Sequence, residues 1–399
     1  FFHASCVVRI KKINCRRMEM KGKFIALLSL VLILAMVLGA CSSGSTPQSP
    51  TPPANTPAGT PAGTPEPSEE PVKLPGFKIG LMVYTNSGGW FDRIYDGVKA
   101  LADATGSTLV LASGATPDEA IAAVENLCAS GVDGILDLAT GGVSHRLLQI
   151  CEEYGVLFAA ANNNLLQEEG YETFRKNEYY VGSVYADDKQ ISYDIVSDMI
   201  KNGAKKIAMF GLPPGISAAF DNRFAGAYKA IEDAGMSVLT EARSFVMPEA
   251  AQNLLTQYPD VDAIFSAVDA SNYLYQPLIS GGYGGKIQIS CFDDGGDVNV
   301  GFENGIVSHC VEGVNAQAQL GYILLYNALT GNKLLMSDGL APDILIPYVI
   351  LHSANEFKDY VDRSKGGIYS FDELKEFIVL LNKDASLNKF IELAQSFGK

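Results

Sequence analysis

The chain has 399 residues, 47% of them hydrophobic and 19% charged, which is enough for two domains with cores of their own. Its 45 acidic residues against 30 basic ones leave a formal net charge of -15. So acidic a surface disfavours nucleic acid and polyanionic substrates, whose phosphates are held by Lys and Arg, and leaves small neutral ligands open.

Near the start, Met20-Lys-Gly-Lys precedes FIALLSLVLILAMVLGAC: a basic stretch, an apolar run, then small residues before Cys41. Residues 1–40 read as an export signal, with Met18 or Met20 as candidate starts and a single spanning helix as the competing reading. Leu38-Gly39-Ala40-Cys41 resembles the lipobox of bacterial lipoproteins. That resemblance implies that Cys41 is lipidated and becomes the mature N-terminus, anchoring the protein outside the bacterial cell membrane. Residues 41–76 are then an anchor and spacer, since ten of the chain's 18 prolines lie between Ser42 and Pro75 among Thr, Ser, Ala and Gly. Such a composition cannot bury a core and predicts an extended, solvated segment.

From Phe77 the pattern changes to alternating strands and helices. Strands are predicted near 77–84, 108–113, 132–139 and 156–161, with helices near 90–104, 117–130 and 143–154. Thr116-Pro-Asp-Glu119 sets a capping residue, a first-turn proline and early carboxylates at one helix start, while Gly131 and Gly155 end two helices. A second series follows Tyr179–Tyr185, with strands near 205–210, 236–241, 262–266, 286–292 and 306–311 and helices near 186–202, 217–234, 248–258 and 270–281. A helix over 314–329 and an apolar strand over 343–351 close the α/β part, and residues 355–399 read as helices on the outside. This alternation implies right-handed βαβ units and two parallel sheets, hence two Rossmann-like lobes. Ligands of such sheets sit beyond the carboxyl ends of the strands. The Thr-Asn-Ser-Gly-Gly turn after the first strand therefore brings Tyr84, Asn86, Trp90 and Phe91 to the expected site.

Other chemistries have little to stand on. The chain has no P-loop, no G-x-G-x-x-G and no H-E-x-x-H. Gly215-Ile-Ser217-Ala-Ala is a near miss to a nucleophile elbow, with Asp293 and then His309 or His352 in hydrolase order, but its second Gly is Ala and a Pro-Pro-Gly insertion loosens the turn. No enzymatic activity, cofactor or metal is expected. Of seven cysteines, Cys128, Cys151, Cys291 and Cys310 fall in the mature α/β region without metal-ligand spacing, and read as buried thiols, although an exported protein also permits a disulfide.

The aromatic pair after the first strand, Arg223-x-x-Gly226 on a helix, the PDVDAIFSAVD run ending at Asp269 and the CFDDG run around Asp293 have a further meaning. On these residues, 77 to about 351 resembles type I periplasmic sugar-binding proteins, the ribose- and galactose-binding group of ABC importer receptors. The resemblance implies a type I periplasmic binding protein fold, with lobes of residues 77–183 plus 314–342 and 184–313 plus 343–354, and a helical extension over 355–399. The chain would cross between lobes three times, near Val181–Tyr185, Glu312–Asn315 and Ala341–Ile346, and hinge closure would bury the ligand. It implies a monomeric, non-catalytic receptor that captures a small molecule, a sugar, and hands it to an ABC permease. A receptor presenting its ligand to a sensor kinase or chemotaxis partner is the alternative, as is a nucleoside or cationic ligand. A transcription regulator of the same fold would need a helix-turn-helix where this chain has a signal and spacer.

For a sugar, aromatic rings cover the C–H faces and planar polar groups bond the hydroxyl rim. The resemblance assigns Trp90 and Phe91 to stacking, with core packing of a first helical turn as the other reading. Arg223 matches the family's cleft arginine, against a solvated helix residue. Asn162 and Asn163 stand where pentose and hexose binders carry Asp-Arg, so ribose or galactose specificity does not carry over. Asp269, Asp293 and Glu312 complete the rim and Phe245 closes the lower face. Three carboxylates against one Arg accept hydroxyls or, instead, pair with a cation.

Overall fold

We analysed a computed structural model that describes residues 72–138, 142–168, 170–293 and 298–399. The export signal, Cys41 and most of the spacer lie outside the described residues. The run after the spacer forms strand β1 (Lys78–Val83), buried along almost its whole length because it lies between two strands and under helices on both faces. Helix α1 (Gly89–Ala104), β2 (Thr108–Ser113), α2 (Pro117–Ala129), β3 (Gly134–Leu138), α3 (Ser144–Tyr154) and β4 (Leu157–Ala161) follow in the alternation that the sequence predicts. At α2, Thr116 Oγ1 accepts from the Glu119 amide while Glu119 reaches back to the Thr116 amide, a reciprocal cap.

After a short helix α4 (Tyr171–Phe174), β5 (Tyr180–Ala186) completes the first series. The second series runs α5 (Asp188–Lys201), β6 (Ile207–Gly211), α6 (Ala218–Asp233), β7 (Thr240–Arg243), α7 (Met247–Gln257), β8 (Ala263–Ser266), α8 (Tyr275–Ser280), β9 (Gln288–Phe292), α9 (Val298–Glu303) and β10 (Val307–Glu312). Helix α10 (Val314–Leu329), β11 (Asp343–Ile346), β12 (Val349–Leu351) and helices α11 (Ala354–Arg363), α12 (Phe371–Leu374) and α13 (Leu387–Ser396) end the chain. Each sheet has six strands, ordered β11-β5-β4-β3-β1-β2 and β12-β10-β9-β8-β6-β7. All pairs are parallel except β10 with β12.

Three expectations need correction. The single strand over 343–351 is two, one in each sheet: Asp343–Ile346 pairs with β5 in the first, and Val349–Leu351 with β10 in the second. Pro347 between them has no N–H to donate and a fixed φ, so one ladder cannot run through it. Residues 343–346 thus belong with the first lobe, and the third crossing lies at Pro347–Tyr348. Because β5 stays in the first sheet to Ala186, the first crossing also falls later than expected, at Ala186–Asp188. The helix predicted over 270–281 keeps only Tyr275–Ser280, since the Asp269 carboxylate accepts from the Ser271 amide and hydroxyl and from Asn272, a turn that competes with helix. The second crossing is at Gly313, whose φ of 145° is open to glycine and closed to other residues.

The C-terminal helices are not an external ornament. Residues 314–328 of α10 are all buried, packed on the first sheet and α1 and bonded to the C-terminal segment. Three amides of α10 bond that segment. Asn315 accepts from Tyr360 Oη at 2.6 Å; Gln319 donates to the Tyr369 carbonyl at 2.9 Å and accepts from its amide at 3.0 Å; Asn327 donates to the Phe377 carbonyl at 2.8 Å and accepts from the Val379 amide at 2.9 Å. A buried amide must find such partners, so the tail's position is specified by α10. Gln319→Ala strands the Tyr369 amide and carbonyl and should cost about 1–3 kcal/mol in urea unfolding; an unchanged midpoint would mean that the tail does not depend on this pairing.

Candidate ligand-binding cleft

The cleft is built outward from the contact of α5 with α6. A Cβ on Gly226 would lie 1.9 Å from the Lys189 carbonyl oxygen, so only glycine lets the two helices touch here. That closeness sets Arg223, one turn earlier on α6, beside Asp188 in the first turn of α5. Arg223 is 3% exposed, and donates from Nε to Asp188 Oδ1 at 2.7 Å, from Nη1 to the Ala267 carbonyl at 2.9 Å and from Nη2 to Tyr348 Oη at 3.3 Å. Its guanidinium carbon stands 4.0 Å from the centroid of the Phe292 ring. Three of five N–H groups are thus committed to the protein, and the plane of the fork is held by a ring.

Tyr348 is the residue of the third crossing. Its hydroxyl lies 3.2 Å from Asp188 Oδ1 and 3.5 Å from Asn162 Oδ1, so it stands between the second lobe's ion pair and the end of β4 in the first lobe. Burial and the Asp188 carboxylate hold its phenol well above the ordinary tyrosine range. Asn162 has φ 57° and Asp293 φ 62°, the only positive values outside glycine among the described residues. Each directly follows the third strand in from the hinge edge of its sheet, β4 and β9, so left-handed residues face the cleft from corresponding positions in both lobes. Sparse backbone conformations of this kind collect at ligand sites.

At the second crossing, Arg93 Nη2 donates to Glu312 Oε1 at 2.7 Å, with side chains 9% and 3% exposed. This pair ties α1 of the first lobe to the last residue of β10, next to Gly313. Across the mouth, Asn222 of α6 donates to Gln167 of the first lobe at 2.8 Å. Tyr84 comes near enough to Tyr273 that, after burial and Asp269, it adds to the upward shift of the Tyr273 phenol.

The remaining expected residues separate. Trp90 is half-buried, with its indole N–H buried and without a partner among the described residues. Phe91, expected to stack with it on a ligand, is packed in the core against Tyr95 at a ring distance of 5.6 Å. Successive residues of a helix are turned by about 100° around its axis, which is why the adjacent Trp90 and Phe91 do not share a face. Tyr84 and Asn86 are exposed in the β1–α1 loop. Asn163 is buried and donates to Ser144 Oγ at 3.0 Å, bracing α3 in place of lining the cleft. Phe245 is 69% exposed beyond β7, the edge of the second sheet farthest from the hinge. Asp269 serves its own turn, as described.

Ser217 caps α6 by accepting from the Ala219 amide, and His309 and His352 bond Asp198 and Ser308, so the hydrolase constellation is not assembled. The four described cysteines are buried free thiols. Sequence reasoning missed Asp188, Tyr348 and Arg93; the only signal for the first two was that they flank predicted crossings.

Asp293 is the carboxylate most out of balance. Burial pushes its pKa up to about 6, against the pull of Arg223 and Arg93. An acid raised in the folded state costs stability where it ionises: nothing below about pH 4, a growing cost from 4 to 6, the whole cost above. Asp293→Asn should therefore stabilise the ligand-free protein by about 1–3 kcal/mol at pH 7.5 while leaving it unchanged near pH 3.5. Denaturant unfolding at both pH values measures this, and an equal effect at the two would remove the ionisation as its cause.

Residues 77–274 match the family described as periplasmic binding proteins and sugar binding domain of the LacI family. No curated protein matches the chain. Among solved structures, it is similar to an ABC transporter solute binding protein from Agrobacterium vitis bound with alpha-D-tagatopyranose, at TM-score 0.60 and 18% identity over 72% of this chain and 98% of that one. A periplasmic solute binding protein of an ABC transporter from Actinobacillus succinogenes 130z, with bound D-allose, aligns at TM-score 0.60 and 18% identity over 71% and 99% of the chains. The transcriptional regulator CelR in complex with cellobiose aligns at 0.56 and 21% over 69% and 83%. Among the described residues no helix is long and apolar enough to cross a membrane. With two six-stranded, mainly parallel sheets joined by three crossings, the chain carries the domain of the periplasmic binding protein and LacI sugar-binding family, in the type I periplasmic binding protein fold.

Proposed function

We propose that this protein captures a small, uncharged, polyhydroxylated molecule, a sugar, between its lobes and passes it to an ABC importer. The observation that carries the reading is the internal pairing of charge in the cleft. Arg223 is bonded to Asp188 and Arg93 to Glu312, while Asp269 is engaged by its own turn. The four carboxylates around the cleft thus face two arginines, both already paired, and with Asp269 turned to the donors of its own loop this leaves the Asp293 carboxyl, whose ionisation burial opposes, to meet a cationic ligand. What remains suits hydroxyls: two N–H groups of Arg223, the Asn162 amide, the Asp293 carboxyl and the Trp90 indole, a flat ring with an N–H at its edge. The sugars bound in the two solute-binding neighbours support the same ligand class. The apolar run and Pro-rich stretch before β1 have the composition of an export signal and spacer, which favours a tethered receptor over a regulator.

Calorimetry with a panel of neutral sugars, nucleosides and polyamines tests the ligand class. Binding of a neutral sugar is expected; an amine binding tightly while every sugar and nucleoside fails would overturn it. The chain's single tryptophan is the reporter. Its fluorescence should change on binding, and Trp90→Ala should weaken affinity by about 1–3 kcal/mol, as for a central aromatic anchor. Anchoring is tested by Cys41→Ala, which should release the protein or leave uncleaved precursor; retention at the membrane with unchanged processing would exclude lipidation at this residue.

A further inference from the structure

We propose that Asp198, His309 and His352 form a binding site for a divalent transition metal of the zinc class on the second lobe. The three come from separate elements: Asp198 from α5, His309 from β10 and His352 from the residue after β12. One ligand atom from each lies within 4.8 Å of the others. Two imidazoles and a carboxylate are a donor set for Zn(II), Cu(II) or Ni(II) and a poor one for magnesium or calcium, which take oxygen. His309 Nε2 stands 3.0 Å from Asp198 Oδ2, a few tenths of an ångström inside the ~3.4 Å that a tetrahedral ion with bonds near 2.1 Å sets between two ligands.

The surroundings orient these donors. His352 Nδ1 is 3.1 Å from the Ser308 carbonyl, which can only accept, so Nδ1 carries the proton and Nε2 keeps its lone pair. Asn202 Nδ2 donates to Asp198 Oδ2 at 2.8 Å and holds the carboxylate. Ser308 Oγ lies 2.7 Å from His309 Nδ1 and 3.2 Å from the Ile289 carbonyl. Its single proton can go to Nδ1, leaving Nε2–H to bond Asp198. It can also turn to Ile289, and then Nδ1–H donates to Oγ while the Nε2 lone pair faces the carboxylate. That second arrangement sets two electron pairs against each other and is stable only with a cation between them. Carbonyl and hydroxyl partners on the far ring nitrogens are the usual outer support of a metal-bound histidine.

His309 is 1% exposed, whereas the Asp198 side chain is 40% exposed and His352 is at the surface, so an ion can enter from solvent and keep water in its fourth position. Bound there, it would tie the end of hinge strand β12 to α5. The site is separate from the proposed sugar contacts and does not depend on them.

The full chain, purified without a histidine tag and stripped with EDTA, should bind one equivalent of zinc in competition with a chromogenic chelator. Cobalt(II) should give the intense visible bands of a tetrahedral ion. His352→Ala, at an exposed position, and Asp198→Asn should each weaken zinc by at least about tenfold and abolish the cobalt bands, with ligand-free folding verified by circular dichroism. No zinc bound by the parent chain, or equal zinc affinity and cobalt spectra in the folded variants, would overturn the assignment.

Discussion

The cleft depends on one buried contact, the ion pair of Arg223 with Asp188 under the Tyr348 hydroxyl. It joins α6, α5 and the third crossing at a single point, and Tyr348 carries it on to Asn162 in the other lobe. Removing one member of such a pair leaves an uncompensated charge in a desolvated place, a far larger loss than the pair's net contribution to folding. Its worth is therefore geometric: it holds a guanidinium fork against Phe292 with two donors to spare. Gly226 makes the arrangement possible by letting α5 and α6 meet without a side chain between them.

A second constraint acts from the opposite side of the first lobe. Helix α10 enters directly from the second crossing and is buried along its length, so its apolar surface and its amides must be satisfied by whatever surrounds it. The first sheet and α1 pack against it. The C-terminal segment bonds to it and supplies the partners that Asn315, Gln319 and Asn327 require. The tail is therefore part of the first lobe's core, reached from the second lobe's last strand.

The strained residues belong to the same economy of form. Asn162 and Asp293 are polar, short and left-handed, a conformation that Asn and Asp tolerate better than most residues. Both present a hydrogen-bonding group at the end of a strand where a rigid sheet sets its position. The raised pKa of Asp293 is the cost of holding a carboxyl in that place with neighbouring arginines already engaged elsewhere.

Much of the local structure was legible in the residues themselves. Apolar runs of strand length, Thr116 with Glu119, and the glycines after two helices act over a few residues, and the corresponding elements lie where the alternation predicts them. So did the two-lobed α/β class, because alternating strands and helices leave few ways to cover a parallel sheet. Arg223 and Gly226 stood out through the resemblance to the sugar-binding family. What the sequence could not supply is convergence: Tyr348 meets Arg223 from 125 residues away, and Glu312 meets Arg93 across 219. Asp188 and Tyr348 are marked by no more than their place beside predicted crossings and Arg93 by nothing, since a partner brought by topology leaves no local pattern. The inward turn of Phe91, the bond of Asn163 to Ser144 and the split at Pro347 were decided the same way. Each depends on which face of an element the rest of the chain covers, and only the tertiary structure determines that.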